Sequence, residues 1–239
     1  MHLFAIIAPA QGNESDRRGV VEAFLTPQLN QEGVKAYLKI FDAYYAEAQK
    51  RLKKGKEVRR NSSISVRIIK ICYEIGTQLT LNQKIIVLVQ LLEYCRSDNK
   101  EVSNTELEFI ITAAEGFNID PEDYLLIRQF VLSTRDEVPE SSQILIIDSD
   151  RVNRYEKTHH IVNDSFRGQV RVLNLPQADM LFIRAFGTGE LLLSGQLRHE
   201  DRVYLFERGA SLKFMSSKPI YYSEVIRQFL DESALASRV

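Results

Sequence analysis

Residues 134–148 read TRDEVPESSQILIID, and the hydrophobic period of the chain changes inside them. Upstream, apolar residues recur every three or four positions, the period of a helix. Downstream they come in short runs of Val, Ile, Leu and Phe broken by turn residues, the pattern of strands. The stretch between, TRDEVPESSQ (134–143), is polar around Val138-Pro139 and reads as a linker. The fold class is therefore α+β: an N-terminal all-α helix bundle over 1–135 and a smaller antiparallel β-domain over 143–232. A chain of 239 residues has room for two domains of roughly 100–140 residues each.

Moving left from the break, IDPEDYLLIRQFVL has Asp120 as a cap and Pro121 in the first turn, which is how helices begin. Leu107, Phe109, Ile110, Ala113 and Ala114 form a helix before it that ends at Gly116. KIIVLVQLLEYC is apolar nearly all round and reads as a central helix covered on most sides. Val66, Ile69, Cys72 and Tyr73 give an inward stripe on a helix capped by the NSS run at 61–63. Val34, Tyr37, Leu38, Phe41, Tyr44, Tyr45, Ala48 and Leu52 mark a longer one. MHLFAIIAPAQ has no basic residue ahead of its apolar stretch, so it reads as a short first helix rather than a secretory leader. LNQEGVKAYLKIF (29–41) and IDPEDYLLIRQFV (119–131) align about ninety residues apart. That weak repeat implies two helix–loop–helix units about a pseudo-twofold.

Moving right, QILIID, HHIVND, GQVRVLNL, MLFIRAF, ELLLSG, RVYLFE and SLKFM read as strands. FGTGE reads as a hairpin turn, and Ser223 caps a last helix with Val225, Ile226, Phe229 and Leu230 facing inward.

Composition narrows the functions. Net charge is −1 and both halves are balanced, so no basic field suited to nucleic acid covers the molecule. No run reaches the ~18 apolar residues of a membrane span. Two cysteines, Cys72 and Cys95, sit in apolar runs without a CxxC, as buried thiols of a cytoplasmic protein do. No phosphate loop, nucleophile elbow or Cys/His pair is present; His159 and His160 are neighbours on a strand and point to opposite faces. Gly187-Thr188-Gly189 fits a turn better than a phosphate cradle. These absences argue against an enzyme.

CRSDNKEVSNTELE (95–108) is the acidic corner between two helices. As a metal site it would draw on Asp98, Glu101 and Glu106, joined by Glu14 and Asp16 of the first loop if the pseudo-twofold brings the two loops to one end. It lacks the spacing of an EF-hand. As a capping box, Ser103 and Glu106 serve the next helix, which explains every residue but Asp98 and Glu101. The basic run KRLKKGKEVRR (50–60) reads as a solvated helix end, with an acidic partner surface as its other use.

LLEYCRSDNKEVSNTELEFIITAAEGFNIDPEDY resembles the helix–acidic loop–helix pattern of TerB-like domains of tellurite-resistance proteins, matching at Asp98, Val102, Ser103, Glu106, Gly116, Asp120, Pro121 and Glu122. The family's loop glycine is replaced and the loop is one residue longer. RVYLFERGASLKFMSSKPIYYSEV is similar to a β-rich segment near the N-terminus of large bacterial ABC-type ATPases. The resemblance implies a non-enzymatic regulatory or protein-interaction module whose partner is another protein or a downstream ATPase domain. Its alternative is a stress-response domain that binds a divalent cation. No other cofactor is implied.

Overall fold

The computed structural model describes residues 1–7, 14–26, 30–52, 57–96, 102–152, 154–187, 189–214 and 217–236. The chain is mixed α+β and forms two compact units, Met1–Arg128 and Gln129–Val239.

The first unit contains α1 (His2–Ile7), α2 (Glu14–Leu25), α3 (Gln31–Leu52), α4 (Glu57–Gly76), α5 (Leu81–Arg96), α6 (Asn104–Gly116) and most of α7 (Pro121–Leu132). Helix α5 is the central one its composition implies: Ile85, Leu88, Val89, Leu91, Leu92 and Cys95 are all buried. Helix α1 is short and apolar after His2, and Leu3 through Ile7 are buried. Its Phe4 ring meets Tyr94 of α5 edge to face, with centroids 5.3 Å apart. Along α3 the buried stripe is Val34, Leu38, Phe41, Tyr45 and Ala48, while Tyr37 faces outward. Helix α7 starts as expected, the Asp120 carboxylate accepting from the backbone N–H of Glu122 at 2.8 Å.

Gly116 does more than close α6. A β-carbon there would stand 2.8 Å from Cys72 Cβ, so α6 and α4 approach at a distance only glycine permits. The left-handed residue after the helix is Asn118, with φ 55°. Cys72 is fully buried at this crossing, and desolvation pushes its thiol up to about 12. It is held protonated and chemically quiet at neutral pH.

Helix α4 corrects two expectations. It starts at Glu57, so Asn61-Ser62-Ser63 lies within the helix and does not cap it. The inward face is Ile68, Ile71 and Cys72, whereas Val66, Ile69 and Tyr73 are exposed. The sequence of α4 carries two apolar phases of the same period, and the close approach of α6 selects one of them.

Among the described residues, the second unit has nine strands. One sheet has the order β2-β1-β3-β4-β7 and the other β6-β5-β8-β9. The strands are β1 (Ile144–Asp148), β2 (His159–Val162), β3 (Gln169–Leu175), β4 (Met180–Phe186), β5 (Leu191–Leu193), β6 (Gln196–Arg198), β7 (Val203–Leu205), β8 (Ser211–Phe214) and β9 (Ile220–Tyr221), followed by helix α8 (Tyr222–Ala236). All pairings are antiparallel except β1 with β2, which run parallel. The fully antiparallel expectation is corrected there. The FGTGE turn is corrected too. Strand β4 pairs with β3 and β7, and β5 with β6 and β8, so this segment carries the chain from one sheet to the other instead of closing a hairpin.

One core lies on the face formed by Leu145 and Ile147 of β1, Val170 and Val172 of β3, and Leu181, Ile183 and Ala185 of β4. The two-residue spacing puts each set on one side of its strand. Leu191, Leu193, Leu212 and Phe214 of the second sheet complete it, with Val225 of α8. Ile226 and Phe229 pack at its margin, whereas Leu230 is exposed. Ser223 lies inside α8; the carboxylate at its start is that of Glu224, accepting from Tyr221 N–H at 2.8 Å.

The opposite face of β3 and β4 carries two buried arginines. Arg171 and Arg184 are cross-strand partners, an arrangement of like charges that costs stability unless other groups offset it. The segment 130–137 and Asp201 supply those groups. Arg171 Nη1 donates to Thr134 O and Glu137 O, each at 2.9 Å, and to Ser133 Oγ at 3.1 Å; its Nη2 donates to Arg135 O. Arg184 Nη1 donates to Phe130 O and Val131 O, both at 2.8 Å, and its Nε to Asp201 at 2.9 Å. Phe186 lies beneath both guanidinium groups, 4.5 and 4.7 Å from its centroid. Burial and the neighbouring Arg184 lower Arg171 to about 10, which leaves it charged at neutral pH. The stretch read as the start of a linker is thus bonded to the sheet at its beginning.

Candidate functional site

The acidic corner resolves into a helix cap. Ser103 is the N-cap of α6, and Glu106 N–H donates to its Oγ at 3.3 Å. In return, Glu106 Oε2 accepts from Ser103 N at 3.0 Å and from Ser103 Oγ at 2.8 Å. This is a reciprocal capping box, and it buries Glu106 to 2% exposure. Asp98 and Glu101 lie outside the described residues. Glu14 and Asp16 belong to the first turn of α2, but their side chains too lie outside the description. Among the described residues, no three His, Cys, Asp or Glu side chains are grouped to hold a metal ion. Ser103→Ala and Glu106→Ala should each lower the stability of the helical unit by about 1 kcal/mol. Thermal melts in calcium and in EDTA should show the same loss, since the carboxylate serves the backbone.

The two adjacent histidines have separate partners, as opposite strand faces require. His159 Nε2 lies 3.0 Å from Ser142 O, and its ring meets Phe229 edge to face. His160 Nε2 donates to Asp148 Oδ1 at 2.8 Å.

The surface feature with the clearest chemical meaning is on α4. Val66, Ile69 and Tyr73 are 63%, 47% and 74% exposed at spacings i, i+3 and i+7, so three large apolar groups form one stripe on one helix face. Lys70, on the same side, is exposed and lies 3.9 Å from Glu74. In sequence, the basic run KRLKKGKEVRR ends six residues before Val66. An isolated exposed apolar residue is ordinary, but a helical stripe ending in a tyrosine is the shape of a helix-binding face. The sequence pattern pointed to these residues and assigned them to the core. The available signal was the competing phase Ile68, Ile71 and Cys72, which is equally apolar and leaves Lys70 in solvent.

On the β-rich unit, Tyr221 is exposed beside Pro219, while Tyr222 packs on Phe206 with centroids 5.6 Å apart. The paired tyrosines therefore divide between surface and core. Among the described residues, no helix is long and apolar enough to cross a membrane. Compared with known protein families, with curated proteins and with solved structures, the chain matches none.

Proposed function

We propose that the chain is a non-enzymatic protein-interaction module whose helical unit takes an amphipathic helical segment of acidic character from a partner protein. The observation that carries this reading is the exposed Val66–Ile69–Tyr73 stripe. A partner helix with apolar groups at i, i+3 and i+7 would cover it. Charge selects the partner's polar residues: Lys70 stands on the same face, and in sequence the run at 50–60 has seven Lys or Arg among its eleven residues and one acid, Glu57. Acidic residues flanking the apolar groups would complement that run. The resemblance to TerB-like domains, and of the later segment to ATPase N-terminal regions, supports the same reading. It makes an ATPase domain the first natural partner to examine.

The test is a titration of the full chain with a labelled synthetic helix carrying leucines at i, i+3 and i+7 between glutamates. Saturable binding is expected, weakened by added salt, with the lysine-for-glutamate version failing to bind. Val66→Asp and Tyr73→Ala should each weaken it about tenfold or more while leaving the melting temperature near wild type. Equal binding of the acidic and basic helices, or no response to Val66→Asp, would count against this face. So would concentration-dependent self-association that the same substitutions abolish, because the occupant would then be a second copy.

A further inference from the structure

In the β-rich unit, a cleft of about 270 Å³ opens where the 135–136 turn meets the ends of β1, β2 and β3. Its charged lining includes Arg135, Asp136, Asp148, Asp150, Arg154 and His160. Several of these groups already have partners. Asp150 and Arg154 form an ion pair at 2.8 Å. Asp148 accepts from His160 Nε2 at 2.8 Å and from Asp150 N–H at 3.0 Å. Three groups keep capacity: the Arg135 guanidinium, the Asp136 carboxylate, and His160 Nδ1, none of which has a hydrogen bond or ion pair among the described residues.

The backbone that presents the first two is held in place. Arg171, fully buried, bonds the carbonyls of Thr134, Arg135 and Glu137. Gly187 leaves room for the Arg135 side chain, since a β-carbon there would stand 3.1 Å from Nη1. A rigid turn with two opposite, unpaired charges facing one small cleft is organised for a ligand that carries both charges. A simple anion would meet three aspartates, and a simple cation would meet two arginines. The volume falls below the roughly 300–1,000 Å³ of drug-sized sites.

We propose that this cleft binds a small zwitterion of the size of a free α-amino acid. Arg135 takes the carboxylate, and Asp136 takes the ammonium, with His160 Nδ1 within the same cleft as a further polar contact. The site is independent of the α4 face, so either proposal can fail alone.

The experiment titrates the full chain with glycine, L-alanine and L-serine. Parallel arms use acetate, ethylammonium and inorganic phosphate, all followed by amide shifts in an NMR spectrum. The expected result is saturable shifts at residues 135, 136, 148 and 160 with the amino acids, at affinities about tenfold or more above acetate and ethylammonium. Arg135→Ala and Asp136→Ala should each weaken binding about tenfold, and Arg198→Ala should leave it unchanged. Both target residues are exposed, and Arg135→Gln and Asp136→Asn repeat the test at nearly constant volume. Three results would overturn the proposal: no saturable shift with any amino acid, acetate or phosphate binding as tightly as the amino acids, or wild-type affinity after loss of either charge.

Discussion

Arg171→Leu is expected to destabilise the β-rich unit by about 3 to 5 kcal/mol, the usual loss when one member of a buried, hydrogen-bonded ionic arrangement is removed. The side chain is 0% exposed. Its guanidinium serves Ser133 Oγ and the carbonyls of Thr134, Arg135 and Glu137, and its Nε donates to Gln169 Oε1 at 2.7 Å. Leucine fills part of the space but offers no donor, so these acceptors must open to water or remain unsatisfied. Relief of the repulsion from Arg184 works in the opposite direction and holds the loss to the lower part of that range. Arg171→Lys keeps the charge but not the planar fork, and should fall between leucine and wild type. Urea denaturation followed through a β-sheet signal measures the loss. Native-state hydrogen exchange should show the amides of 133–137 exchanging faster. If Arg171→Leu stays within about 1 kcal/mol of wild type and that exchange is unchanged, the arginine does not hold the segment.

Gly168→Ala should be comparably damaging, about 3 kcal/mol or more, for a reason of backbone geometry. Gly168 has φ 98°, a conformation that L residues rarely adopt, and it immediately precedes β3. A β-carbon there would lie 2.3 Å from Phe186 O and 2.4 Å from Gly187 O, both backbone atoms that cannot step aside. Gly195 and Gly209 provide the comparison. Their φ values are 79° and 80°, but a β-carbon on either meets nothing within 4 Å. Alanine at those two positions should cost about 1 kcal/mol, the conformational part alone. Thermal denaturation of the three variants separates strain from collision. Equal losses at all three would show that the close approach at Gly168 contributes nothing.

The strands and helices were legible where local pattern and burial coincide. QILIID, GQVRVLNL and MLFIRAF became β1, β3 and β4, and KIIVLVQLLEYC became the buried α5, because a predominantly apolar run has few ways to avoid water. The cap at Ser103 and Glu106 was legible because a capping box is closed within four residues. Strands β6 and β9 were missed. QLR and IY are too short to show a period, and pairing with β5 and β8 defines them.

The buried arginines show a different limit. Arg171 and Arg184 stand within apolar runs, and that interruption was the visible signal. Nothing local tells that the two side chains are cross-strand neighbours, or that their backbone carbonyl acceptors come from residues 34 to 54 positions earlier. The same holds for the cleft: Arg135 and Asp136 look like linker charges until Arg171 holds their backbone beside β1, β2 and β3.

By itself the sequence determined the helical and β-rich regions, the central helix, the caps of α6 and α7 and the main strands, because period, turn chemistry and capping act over a few residues. The tertiary structure alone decided which apolar phase of α4 faces inward, that FGTGE joins two sheets, and that the segment after α7 is bonded to buried arginines. Each of those outcomes depends on atoms far apart in the chain competing for the same volume or the same hydrogen-bond partner.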